Sequence, residues 1–133
     1  MYMARPPFGR AQASYQNVDL STRVDGASPH ELIALMFEEA LNTLDLMTAA
    51  AQRRDFARVA SAQARALSIV GGLQASLDME RGGDLARNLA EVYREASRLI
   101  LTGGKGSEPL FIAQARSMLA EIASAWNAIG RKG

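Results

Sequence analysis

From residue 28 to the end of the chain, apolar residues return every three or four positions, the spacing of one helical face. Ile33, Phe37, Ala40, Leu44 and Met47 make the first stripe. Leu32, Leu35, Met36, Leu41 and Leu46 widen it well past a narrow coiled-coil seam. A helix this apolar must touch several neighbours, which places it near the centre of a bundle. Its start is written in Ser28-Pro29-His30-Glu31, with Ser at the N-cap, Pro at the first helical position and Glu closing a capping box. Arg53-Arg54 suit the negative end of its dipole.

A second stripe follows Asp55, which suits an N-cap: Phe56, Val59, Ala60, Gln63, Ala66, Leu67, Val70, Leu73 and Leu77. Ile69 lies off that stripe. Gly71-Gly72 is costly inside a helix, at about 1 kcal/mol per glycine relative to alanine. It predicts a close helix crossing or a kink, with a shallow groove for a partner's backbone as the alternative. Gly82-Gly83 can take positive φ, so the helix is expected to stop there. Asp84 would then cap a third helix running to about Thr102, with Leu85, Leu89, Val92, Tyr93 and Ala96 on its stripe. Gly103-Gly-Lys-Gly106 reads as a flexible turn. It lacks the spacing and the preceding strand of a phosphate-binding loop. The fourth helix is expected from near Ser107, with Phe111, Ala115, Met118, Leu119, Ile122, Trp126 and Ile129 as its stripe and Gly130 at its end.

Short turns pack sequential helices antiparallel. The expected fold is all-α, an antiparallel up-down-up-down four-helix bundle over residues 28–133, preceded by an arm over residues 1–27. Pro6-Pro7, Gly9 and Gly26 break regular structure in the arm. Yet Tyr2, Phe8, Tyr15, Val18, Leu20 and Val24 make it more apolar than a purely disordered tail. It is expected to be partly flexible and able to fold back on the bundle.

Composition narrows the function. At 133 residues the chain is one domain with room for a real core. Apolar residues make up 48% but aromatic ones only 6%, which favours closely packed, alanine-rich helices over a β-sandwich. A net charge of +1 with interspersed signs leaves no footprint for nucleic acid or an anionic membrane. Zero cysteines exclude a disulfide scaffold, a thiolate metal site and a cysteine nucleophile. The N-terminus lacks the apolar run of a signal peptide. No window approaches the ~18 apolar residues of a membrane span. The expected compartment is the cytosol.

No catalytic constellation emerges. His30 is the only histidine and sits in a first helical turn beside Glu31, whereas phosphotransfer needs a reactive histidine exposed in mid-helix. A di-iron bundle needs Glu-x-x-His pairs, which are absent. Glu38 and Glu39 point about 100° apart on a helix and form no dyad. Ser76 has no candidate base. The residues therefore predict no enzyme, no cofactor and no metal. What they offer is apolar surface, adaptable where methionine supplies it. From the residues alone, a histidine phosphotransfer bundle using His30 and a helical subunit that self-associates through its stripes both stay open beside a binding module.

Ser76-Leu77-Asp78, Gly82-Gly83, Ala86, Asn88-Leu89 and Tyr93 together resemble the flagellar export chaperone family FliS. So do Ser14-Tyr15-Gln16-Asn17-Val18 in the arm and Ala27-Ser28-Pro29 before Leu32-Ile33. The chain has Phe37-Glu38-Glu39 where that family usually follows an aromatic residue with Asp-Gly. The resemblance implies a cytoplasmic chaperone that binds the disordered C-terminal region of flagellin, blocks premature polymerisation and delivers the client to a component of the export gate. It implies no nucleotide and no metal. The implied partner-binding residues are Tyr15, Val18, Ile69, Leu73, Leu77, Leu89 and Tyr93. The arm is expected to occupy part of the client's groove and to be displaced.

Overall fold

The computed structural model describes residues 22–132. The chain falls into two units, residues 1–32 and 33–133. In the first, residues 22–25 make one helical turn that ends at Gly26. Ser28 then opens helix α1 (Pro29–Gln52). The capping box is formed: Glu31 N–H donates to Ser28 Oγ at 3.1 Å, and Ser28 N–H donates to Glu31 Oε1 at 2.9 Å. The Ser28 backbone N–H, followed by its hydroxyl, holds the Glu31 carboxyl below the usual carboxylate range.

The second unit contains the rest of α1 with α2 (Phe56–Ala75), α3 (Met79–Gly106) and α4 (Pro109–Lys132). No strand occurs among the described residues. Asp55 caps α2 as its sequence position predicts, accepting from Arg58 N–H at 3.3 Å. The following boundary differs from expectation. α2 ends at Ala75, and Asp78 caps the next helix by accepting from the Glu80 and Arg81 N–H groups. The break therefore falls at Ser76-Leu77-Asp78. Gly83, at φ 51° and ψ −128°, then kinks α3 instead of separating two helices. Asp84 pairs with Arg87.

The expected turn at Gly103 is also absent. α3 runs on to Gly106, and Ser107 turns the chain at φ 50° and ψ 49°. A side chain at Gly103 would stand 2.8 Å from Ile112 Cγ1. One at Gly104 would stand 1.5 Å from Gln63 Oε1. These glycines let α3 approach its neighbours closely. Nor does Gly130 end α4, which continues to Lys132.

The core follows the predicted stripes in part: Ile100 and Ile112, which lie off them, are sealed, whereas Phe56, Leu85 and Ile129, which lie on them, are exposed. Phe37, Leu44, Met47, Val59, Val70, Leu73, Ile100, Ile112 and Leu119 are sealed from solvent. A full burial of such a side chain contributes roughly 1.5–3 kcal/mol. Ala40, Ala66, Ala96 and Ala115 are sealed between them and leave room for close helix contact. Contacts between helices fit an up-down-up-down order. Glu39 on α1 binds Arg65 on α2 at 3.1 Å, while the earlier Met36 meets the later Gly72. Asp45 on α1 binds Arg116 on α4 through two bonds of 2.7 and 3.2 Å. Phe37 and Met47 face Tyr93 and Gly104 of α3, so α1 and α3 advance in the same direction. As its width predicts, α1 touches all three other helices.

Candidate functional site

In an up-down-up-down order the part of α1 from Ile33 onward, the end of α2, the start of α3 and the end of α4 meet at one end of the bundle. There an apolar groove of about 250 Å³ opens. Ile33 and Phe37 line it from α1, Ile122 and Trp126 from α4, and Ser76, Leu77 and Asp78 from the turn after α2. Gly82, Leu85, Ala86, Leu89 and Tyr93 of α3 complete the wall.

Local chemistry builds this wall. The Ser76 hydroxyl donates to Leu73 O at 2.7 Å, which tightens the end of α2 and leaves Leu77 in the turn. The Asp78 cap restarts the chain as α3. The kink at Gly83 then sets the direction in which Leu85, Ala86 and Leu89 enter the groove. Phe37 and Tyr93 pack with ring centroids 6.5 Å apart, tilted by 45°, inside the range of favourable aromatic pairs. Burial raises the Tyr93 phenol above its ordinary pKa, so it is neutral at physiological pH.

The sequence-predicted residues separate by position. Leu77, Leu89 and Tyr93 come together in the groove. Leu73 is only 1% exposed and belongs to the core beneath the turn. Ile69, which lies off the main stripe, is half-buried and packed against the core, because α2 has neighbours on two sides. Tyr15 and Val18 lie outside the described residues. The sequence reading assigned Ile33, Phe37, Ile122 and Trp126 to stripes without bringing them to the site. The available signal was topological: an up-down order carries the first turns of α1 and the last turns of α4 to the corner occupied by Leu77 and Tyr93.

The rest of α3 has a different character. Glu91 pairs with Arg94, and Glu95 with Arg98, along its solvent side. Hydrogen bonding to Arg98 holds the Glu95 carboxyl below the usual range. Among the described residues no group of three or more His, Asp or Glu could hold a metal ion. No helix there is long and apolar enough to cross a membrane.

A helical bundle with an apolar groove at one end has the form of a protein-binding module. Its relatives make the class specific. A family described as "Flagellar protein FliS" matches residues 11–133. The chain is 32% identical to the flagellar secretion chaperone FliS of Salmonella typhimurium, over 90% of this chain and 89% of the relative. It is 30% identical to the flagellar secretion chaperone FliSB of Pseudomonas aeruginosa, over 90% and 95%. It is also 30% identical to the flagellar secretion chaperone FliS of Vibrio cholerae, over 91% and 88%. The chain belongs to the FliS family, which is a family of chaperones and not of enzymes. The histidine phosphotransfer reading of His30 falls with that assignment.

Proposed function

We propose that this protein is a flagellar secretion chaperone whose groove receives a helix from the C-terminal region of flagellin. The observation that carries the reading is the apolar groove at the 76–83 corner of a FliS-family chain. A client that is disordered when free buries its own apolar face on binding and is withheld from polymerisation. Delivery to an export-gate component, in the cytosol, follows from the same reading. Leu77, Leu89 and Tyr93 are the contacts, with Leu73 supporting the turn from below. Ile69, beside that core, is a weaker candidate. Tyr15 and Val18 enter on sequence resemblance alone, as arm residues that compete with the client.

Calorimetric titration with a flagellin C-terminal fragment tests the proposal. It should give a 1:1 complex with a negative heat-capacity change. Leu85 is 67% exposed on the groove's rim, so a charge there should spare the fold. Leu85→Glu should weaken binding at least about tenfold, more than 1.4 kcal/mol, with little change in Tm. Full affinity for a flagellin lacking only its C-terminal segment would refute the proposed client site. Self-association of the chaperone through the groove would instead appear as a concentration-dependent mass that Leu85→Glu abolishes.

A further inference from the structure

The end of the bundle opposite the groove carries an apolar feature of its own. Phe56 keeps the period of Val59, Ala66 and Val70, which are all sealed, yet 56% of it is exposed. The reason is geometric. Phe56 stands almost two full turns before Gln63, so both leave the same face of α2. The Gln63 side chain fills the space that a Cβ at Gly104 would take, so this face looks toward α3. But α3 stops at Gly106, about 3 Å beyond Gly104, whereas Phe56 lies about 10 Å beyond Gln63. The ring overhangs the end of α3, and no turn of that helix reaches it. Charge surrounds it. The Arg54 guanidinium stands 5.3 Å from the ring centroid, a cation–π distance. Arg53 and Arg58 leave the same corner, and exposed Lys105 stands in the last turn of α3. The carboxylates of this end are Asp55 and Glu108, and Asp55 already caps α2 and pairs with Arg58. Four cations against two carboxylates leave it positive, in a chain whose net charge is only +1.

We propose that this overhang is a second docking site, for an acidic segment of a protein other than the one the groove receives. An aliphatic or aromatic side chain of that segment lies on Phe56, and carboxylates flanking it face Arg54 and Lys105. An aromatic ring offers large contact area and loses little conformational entropy when it is covered. The surrounding cations choose the sign of the partner and speed its approach. A basic segment would gain the ring and meet like charge, which disfavours it. The 20 residues of α2 set the overhang about 30 Å from the groove's Leu77 turn, so the two sites can be filled together.

The test is a random peptide library displayed on phage and selected on the full chain, after binders of Phe56→Ser have been removed so that groove ligands drop out. The surviving sequences should place Leu, Ile, Phe or Trp between Asp or Glu residues. A synthetic peptide of the consensus sequence should bind the parent, lose at least about tenfold in affinity to Phe56→Ser and about fivefold to Lys105→Glu, and bind Leu85→Glu like the parent. Its affinity should fall as salt rises. Phe56 is half-exposed, so Phe56→Ser should keep the parent's helical circular dichroism; if it unfolds, Arg54→Glu and Lys105→Glu decide instead, each with a loss of about fivefold. These measurements use no client and stand whatever the groove receives. Survivors without carboxylates, no survivors at all, or a peptide indifferent to the charge reversals would overturn the proposal. Displacement of the peptide by saturating flagellin C-terminal fragment would also overturn it, because the overhang would then be part of the client's own site.

Discussion

The two glycine-rich corners of this protein, around residues 76–83 and 103–107, look alike in sequence and are built on opposite principles. At the first, Gly83 supplies a backbone conformation that a side chain would strain, and a Cβ there would meet nothing within 4 Å. At the second, Gly103 and Gly104 are ordinary helical residues whose missing side chains let α3 touch Ile112 and Gln63. The unusual backbone at that corner belongs to Ser107, at φ 50°. Gly83 serves the first corner through its dihedral freedom, although Gly82 beside it is short of room, a Cβ there meeting Ala86 Cβ at 2.6 Å, whereas Gly103 and Gly104 serve the second only through their lack of volume. The first shapes the wall of the groove. The second clamps the opposite end of the bundle.

The largest test of this contrast is at Gly103. A Cβ there would lie 2.8 Å from Ile112 Cγ1 and 3.3 Å from both Glu108 O and Ile112 N. Ile112 is sealed in the core, and two of these three contacts are backbone, so little can give. Overpacking of this kind costs about 1–3 kcal/mol, and the loss should grow with side-chain size. Gly103→Val should lose about 3 kcal/mol in denaturant unfolding and Gly103→Ala about 1, the latter offset in part by alanine's helix propensity. Equal losses for the two would place the cost in the backbone and dissolve the distinction between the corners.

Gly83 should show the complementary pattern. Its ψ of −128° lies far from the left-handed helical value of about 47°, in a region that side chains avoid. The penalty of about 1–3 kcal/mol comes with the first carbon added. Gly83→Ala and Gly83→Val should therefore each lose about 2 kcal/mol, with little between them. A loss that climbs steeply from alanine to valine would mean a steric limit at this corner too. Because the kink aims Leu85 and Leu89 at the groove, both variants should also weaken client binding by more than their stability loss explains.

Much of this was legible in the chain. Stripes such as Ile33-Phe37-Ala40-Leu44-Met47 follow from burying one face of a helix, and local chemistry in Ser28-Pro29-His30-Glu31 and at Asp55 marks helix starts. Glycine pairs were less legible, because the absence of a side chain serves either purpose and only the neighbours decide. Gly103 reads as a turn until Ile112 is seen pressed against it. The groove was half-legible: Leu77, Leu89 and Tyr93 lie in one sequence segment, whereas Phe37 and Trp126 reach it only through topology. Ile69 lies off the stripe yet packs against the core, because one helix's stripe does not reveal how many neighbours that helix has.

The smallest test concerns where the second corner keeps its strain. Ser107 N–H donates to Gly104 O at 3.4 Å and Glu108 N–H donates to Gly103 O at 2.8 Å, which ends α3 in a Schellman motif. α1 ends the same way: Arg54, at φ 58°, and Asp55 donate to Ala51 O and Ala50 O at 3.1 and 2.9 Å. That position favours glycine, and here an arginine and a serine hold it. A left-handed conformation costs an L-residue roughly 1–2 kcal/mol, of which the greater chain entropy of unfolded glycine cancels a part. Ser107→Gly should therefore stabilise the protein by about 0.5–1 kcal/mol and raise Tm by about 2–4 °C. Arg54→Gly should gain less, because it also removes the guanidinium that stands 5.3 Å from the Phe56 ring centroid. Should Ser107→Gly lower Tm, the strain at this corner would have to reside in the helical glycines, and the assignment of volume to one corner and dihedral freedom to the other would be reversed.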